Sequence, residues 1–276
     1  MAGAGAALAA WPAYARQAAA QDWSPFVLVA GLLLIGLVAD GDGLFAFAGR
    51  QLGRMARNGT VLFAGAVVII AAVTATLNLD TSVAFLTPVL VYTAASQRAA
   101  RPAGVVTGSA LLYGCVLLSN AGSLLLPGSN LTNLIVLGHL HLTGGQFLAR
   151  MWLPWLAAVL ATAAVVAIGE RRSLRTRAVP AAALTETAPP ARPVLGAGLV
   201  AVLLATVLVV TLSSPALAVA AVGVVAAGIR LAQRRVASGL TGVREVLGLP
   251  VLTGLFGVAV TLGAVGRAWA GPAVFI

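Results

Sequence analysis

Long apolar runs, most of them closed off by arginines, leave this chain few ways to fold. Phe147 to Ile168, Val194 to Leu212 and Val246 to Leu262 reach or approach the roughly 20 residues that cross a hydrocarbon core of about 30 Å, and Ala216 to Ile229 is a shorter run. In lipid every backbone N–H and C=O must find its partner inside the protein, which leaves helices or closed barrels. Barrel strands alternate apolar and polar positions, and these runs do not. The fold class is therefore an all-α polytopic membrane protein. Composition agrees: 9% of residues are charged, against about 25% in soluble domains.

The formal net charge of +10 comes from Arg alone, since the chain has no Lys. The arginines cluster between apolar runs: Arg50, Arg54 and Arg57; Arg98 and Arg101; Arg171, Arg172, Arg175 and Arg177, with Arg192 later; and Arg230, Arg234, Arg235 and Arg244. That is the pattern of positive-inside loops and not of a nucleic-acid surface, so the Arg-rich loops are expected in the cytoplasm of a multi-pass plasma-membrane protein. The single cysteine, Cys115, excludes an internal disulfide and a multi-thiolate metal site. No P-loop, dinucleotide motif or nucleophile elbow is present, so neither an enzyme nor a cofactor or metal is expected. Residues 1–23 read as an interfacial segment and not as a signal peptide, with no basic residue before Arg16.

If all four clusters are cytoplasmic, an even number of crossings separates each pair. Between the first two lie two arms of about 15–17 residues, each about 22–26 Å as helix and slightly short for a span. A re-entrant hairpin over about residues 61–96 fits best. A full transmembrane hairpin is the alternative and would put Asp80 at the far surface. The next segment, about 103–140, is expected to be a helix broken near Asn120–Asn133, and Phe147 to Ile168 returns. These elements form a first transport repeat over 24–169. A Pro-containing cytoplasmic linker covers 170–193, and residues 194–276 supply helices leading into an incomplete second repeat. Phe26 to Ala39 reads as a short first span, Asp40 and Asp42 as a solvated helix end, and Leu44 to Met55 as an amphipathic surface helix. The chain finishes at Gly271–Ile276 with no polar tail, as an interrupted reading frame would.

Two polar breaks carry the chemistry. The first is Asn78-Leu79-Asp80-Thr81, where Asp80 lies deep inside an apolar stretch. A charged side chain at the bilayer centre costs roughly 2.5–3.5 kcal/mol on insertion scales, so such a residue reads as functional. Low dielectric disfavours the charged form, which makes Asp80 a candidate proton carrier; a protonated carboxyl capping the next half-helix is the simpler role. The second break holds Asn120, Ser129, Asn130, Thr132 and Asn133 around Pro127-Gly128. These amides and hydroxyls offer hydrogen bonds without charge, at a density greater than helix packing requires. His139 and His141 read as interface residues rather than metal ligands.

On these residues, from Leu77 to Pro88 and from Asn120 to Asn133, the chain resembles the arsenite/antimonite efflux permeases (ArsB-type) of the ion transporter superfamily. The resemblance implies two inverted repeats, each with a re-entrant hairpin and a broken helix. The substrate would sit between their tips, with efflux driven by proton antiport and in some members aided by a soluble ATPase. Carried onto this chain, Asn78, Asp80 and Thr81 match the first hairpin tip, and Ser129, Asn130, Thr132 and Asn133 the broken helix. Family members are longer, so the chain reads as partial. The expected partners are the lipid bilayer, arsenite or antimonite, and protons; a homodimer is compatible, and nucleic acid is not a partner. Two alternatives stay open: a sodium/proton antiporter or anion symporter of the same superfamily, and a truncated fragment that does not transport.

Overall fold

The computed structural model describes residues 9–55, 58–99, 109–140, 142–175, 196–234 and 249–268. Within them the chain is helical, with no β-strand. The helices are α1 (Pro12–Gly41), α2 (Leu44–Met55), α3 (Gly59–Thr76), α4 (Leu79–Ala99), α5 (Ser109–Gly122), α6 (Leu131–Leu140), α7 (Gly144–Gly169), α8 (Arg171–Leu174), α9 (Ala197–Thr211), α10 (Ala216–Arg234) and α11 (Leu249–Ala268), with a 3-10 turn at Pro127–Ser129. Four of them, α1, α3, α7 and α11, are long and apolar enough to cross a membrane. Most of the linker at 170–193, the side chain of His139, and His141 lie outside the described residues.

The helix ends meet in two groups, which gives the molecule a direction. At one end Asp42, Gly198 and Arg230 come together, as do Gly59, Ser109 and Glu170 with α8. At the other end the start of α7 touches Val209 near the end of α9, beside the turn into α10. The Arg clusters that the structure describes beyond α7 and in α10 belong to the first end. Helix α1 runs from the second end to the first. It is much longer than the short span expected from Phe26, and it continues unbroken through residues 23 and 24, where the sequence pointed to a boundary. Pro12 sits in its first turn, where a missing N–H costs nothing, while Pro25 is carried inside the helix.

Helix α1 is the wall on which the rest assembles, and it is approached closely. A Cβ added to Gly31 would lie 2.7 Å from the Cα of Ala220, and one added to Gly223 would lie 2.7 Å from the Gly31 carbonyl oxygen. Small residues on both faces thus let α1 and α10 pack backbone to backbone, which is how helices gain contact where lipid competes for apolar side chains. The amphipathic α2 has the bounds its sequence pattern gives. It buries Phe45 and Leu52, and Phe45 stacks on Phe85 of α4 at 5.5 Å.

Asp42 departs from the solvated helix end expected of it. Its carboxylate accepts from Arg230 Nη1 at 2.7 Å and from the backbone N–H of Gly198 at 2.8 Å, and Arg230 also donates to the Val38 carbonyl at 2.8 Å. One carboxylate therefore closes the end of α1, the start of α9 and the last turn of α10. A side chain at Gly41 would occupy the place of the Arg230 guanidinium.

Removing one partner of a buried ion pair costs roughly 3–5 kcal/mol because the other is stranded. Both side chains keep some exposure here, 15% for Arg230 and 20% for Asp42, so a smaller loss is expected. In thermal unfolding in detergent, Asp42→Ala and Arg230→Ala should each destabilise the protein. The double variant should cost little more than either alone; simple additivity would show that the pair does not act as a unit.

Candidate functional site

The first break is a sharp stop and restart. Helix α3 ends at Thr76, and Leu77 closes it by donating to the Val73 carbonyl at 2.9 Å. The Asn78 side-chain oxygen then accepts from the Thr81 N–H at 2.6 Å and caps the start of α4. This is the cap role that a residue of the Asn type performs well, taken by Asn78 instead of Asp80. Asn78, Thr81 and Ser82 are all buried. Thr81 packs on α1 at Gly36. Two polar atoms here have no hydrogen-bond partner: Asn78 Nδ2 and Thr81 Oγ1. Leaving a buried polar group unpaired costs about 1–3 kcal/mol, so these two atoms are the costliest polar groups at the break.

Asp80 is placed differently from its neighbours. A helix turns about 100° per residue, so adjacent positions face apart. Thr81 points inward, whereas Asp80 is exposed and makes no hydrogen bond or ion pair among the described residues. It stands in the first turn of α4, where the helix dipole favours a negative charge.

At the second break, α5 ends at Gly122, the 3-10 turn spans Pro127–Ser129, and α6 restarts at Leu131. The polar residues here are largely occupied with one another. Ser129 Oγ shares its one O–H between the carbonyls of Ser123 at 2.7 Å and Leu126 at 2.5 Å, and accepts from the Leu126 N–H at 3.2 Å. Asn133 Nδ2 donates to the same two carbonyls at 2.7 and 3.2 Å. Asn130 Nδ2 reaches Ser123 Oγ at 3.2 Å while its Oδ1 accepts from the Thr132 N–H at 3.1 Å. Ser129 and Asn133 thus satisfy carbonyls that the broken helix leaves open. Thr132 is exposed, as is Asn120, whose side chain donates back to the Val116 carbonyl.

The two breaks are neighbours. Thr74 Oγ1 donates to Ser82 Oγ at 2.7 Å, and Ser82 Oγ lies 3.4 Å from Ser119 Oγ, which donates to the Cys115 carbonyl. This hydroxyl ladder ties both arms of the hairpin to α5. Thr74 and Ser82 were not singled out from the sequence. The available signal was their position as small hydroxyls in the last turn before the break and the first turn after it, flanking Asn78. Depth follows from α7. The indole N–H of Trp155, near the middle of that helix, donates to the Gly122 carbonyl at 3.1 Å. A Cβ on Gly122 would lie 3.2 Å from Thr74 Cβ, so α3 stops at the same level. On the other side, Gly128 faces Leu28 and Leu32 of α1. The N-termini of α4 and α6 therefore both open between helix ends, at a point where α1 and α7 continue past them.

No curated protein matches the chain. Residues 1–263 match the family described as citrate transporter, CitMHS. This family lies within the ion transporter superfamily to which the resemblance pointed, while the narrower assignment to arsenite permeases goes beyond the match. The matched segment takes in every helix up to α11 and both breaks, and the chain belongs to this CitMHS family of secondary transporters.

Proposed function

We propose that this chain performs proton-coupled efflux of arsenite or antimonite, as neutral hydroxides, across the plasma membrane, with its Arg-rich loops in the cytoplasm. The observation that carries this reading is the pair of buried, unpartnered, uncharged groups at the first break, Asn78 Nδ2 and Thr81 Oγ1. A small neutral hydroxide presents acceptor and donor oxygens to such groups and needs no counter-charge. The sequence has no Arg from residue 58 to 97 or from 102 to 149, so a trianion would meet no guanidinium from either break. In this reading Asp80 is the proton carrier: it adjoins Thr81 and has no ionic partner among the described residues. Asn120, Ser129, Asn130, Thr132 and Asn133 hold or line the second break.

A second reading, carboxylate symport, rests on another observation. Two helix N-termini, those of α4 and α6, open at the breaks. Such ends suit anionic groups, and the family description names citrate. A sodium-coupled exchange of the same class would show itself by sodium dependence. Everted vesicles loaded with one driving gradient at a time separate the three. Proton-driven arsenite accumulation without citrate uptake supports the first reading. Citrate flux without arsenite flux overturns it.

Two substitutions test the residue roles. Thr81→Val keeps shape but removes an unsatisfied buried hydroxyl, so it should raise thermal stability, by about 1 kcal/mol, while lowering transport. Lower stability in this variant would show that the hydroxyl has a partner and serves the fold. Asp80→Asn should abolish proton-driven transport while leaving insertion and stability near wild type. Retained proton coupling in that variant rules Asp80 out as the carrier.

A further inference from the structure

One cavity lies mostly outside the two breaks yet reaches the second of them at Pro127. It has a volume of about 370 Å³ and sits at the end of the molecule away from the Asp42–Arg230 clasp. Its rim is polar, with Gln21, Asp22 and Ser24 from α1 and Ser213 and Ser214 from the turn between α9 and α10. Further in, the walls become apolar at Leu28, Leu134 and Val209, and Pro127 of the second break is part of the lining. At roughly 30 Å³ per molecule, the space would hold about a dozen waters. Interiors are otherwise close-packed, so an opening of this size against a broken helix calls for a reason.

The inner wall is thin. Leu28 and Val209, which line the cavity, are also the side chains that cover Gly128, each 3.5 Å from where its Cβ would be. The cavity thus reaches the break at Pro127, while Leu28 and Val209, with Leu32 behind them 3.3 Å from the same Cβ position, screen Gly128 from it. Polar residues at the outer end, apolar walls further in and two aliphatic side chains over Gly128 are the parts an access path would need.

We propose that this cavity is the vestibule through which small polar solutes pass between the second break and the face opposite the Arg-rich loops, with Leu28 and Val209 as its gate. The proposal rests on the transport reading above, and it assigns the route instead of the cargo. Solutes of the size of an inorganic hydroxide or a small carboxylic acid fit the space; a peptide or a lipid tail does not suit its polar rim.

Cysteine accessibility in intact cells tests it. The native Cys115 is buried, 1% exposed, and serves as the unlabelled background. Ser213→Cys at the rim and Leu134→Cys on the wall are compared with Val165→Cys, which sits on the outer surface of α7 at 67% exposure. A charged, membrane-impermeant thiosulfonate added outside should modify both cavity positions. Leu134→Cys should react on the order of tenfold or more faster than Val165→Cys, because the thiolate that reacts needs water. Modification of Leu134→Cys should also block flux of the transported solute. If Leu134→Cys resists the external reagent while the unmodified variant still transports, the vestibule is wrong and the transport reading stands. If it is modified from outside but the protein moves no solute, the access path stands and the transport reading fails.

Discussion

A helix that stops inside a membrane leaves carbonyls with no water to satisfy them, and the architecture of this chain depends on how that problem is solved at residues 122–133. Each unpaired amide in hydrocarbon costs several kcal/mol. Ser129 and Asn133 reach back to the carbonyls of Ser123 and Leu126, and Trp155 supplies a donor to Gly122. With those bonds in place α5 can end midway along α7. The stop then fixes the level of the hairpin, because Thr74 and Ser82 engage the side of α5 at Gly122 and Ser119. Without the capped break there would be no shelf for the first tip to rest on.

This solution divides the polar residues into two kinds. Ser129, Asn130 and Asn133 are committed to backbone and to Ser123, so their number reflects the difficulty of breaking a helix as much as any ligand. Asn78 Nδ2 and Thr81 Oγ1 are not committed. Free neutral donors offer hydrogen bonds but little capacity to stabilise a large charge, which in the proposed site would fall to the two helix N-termini. The choice of cargo thus turns on the balance between uncharged hydrogen bonding and helix dipoles.

Much of this was legible in the sequence, because the breaks interrupt apolar runs and Pro127-Gly128 disfavours a continuous helix. The helix bounds of α2 followed from its amphipathic pattern. Other features were hidden by their nature. Which way Asp80 faces depends on a single residue step of about 100° around α4, and composition carries no record of it. The reach of α1 was concealed because an Ala-rich segment with Pro25 looks weak alone and is held by packing against α11, as the Phe26–Phe256 contact shows. Asp42 appeared to belong to solvent because its partner lies far along the chain. Thr74 and Ser82 looked like incidental small residues until α5 was brought beside them.

The clasp between Asp42 and Arg230 joins residues 188 positions apart. At synthesis rates of about 5–20 residues per second, α1 waits roughly 10–40 s for its ionic partner to leave the ribosome. During that interval the carboxylate must remain in water at the membrane edge. Until then the carboxylate of α1 has only water to solvate it. When α10 arrives, Arg230 replaces that water and joins the end of α1 to α10 and, through the same carboxylate, to the start of α9.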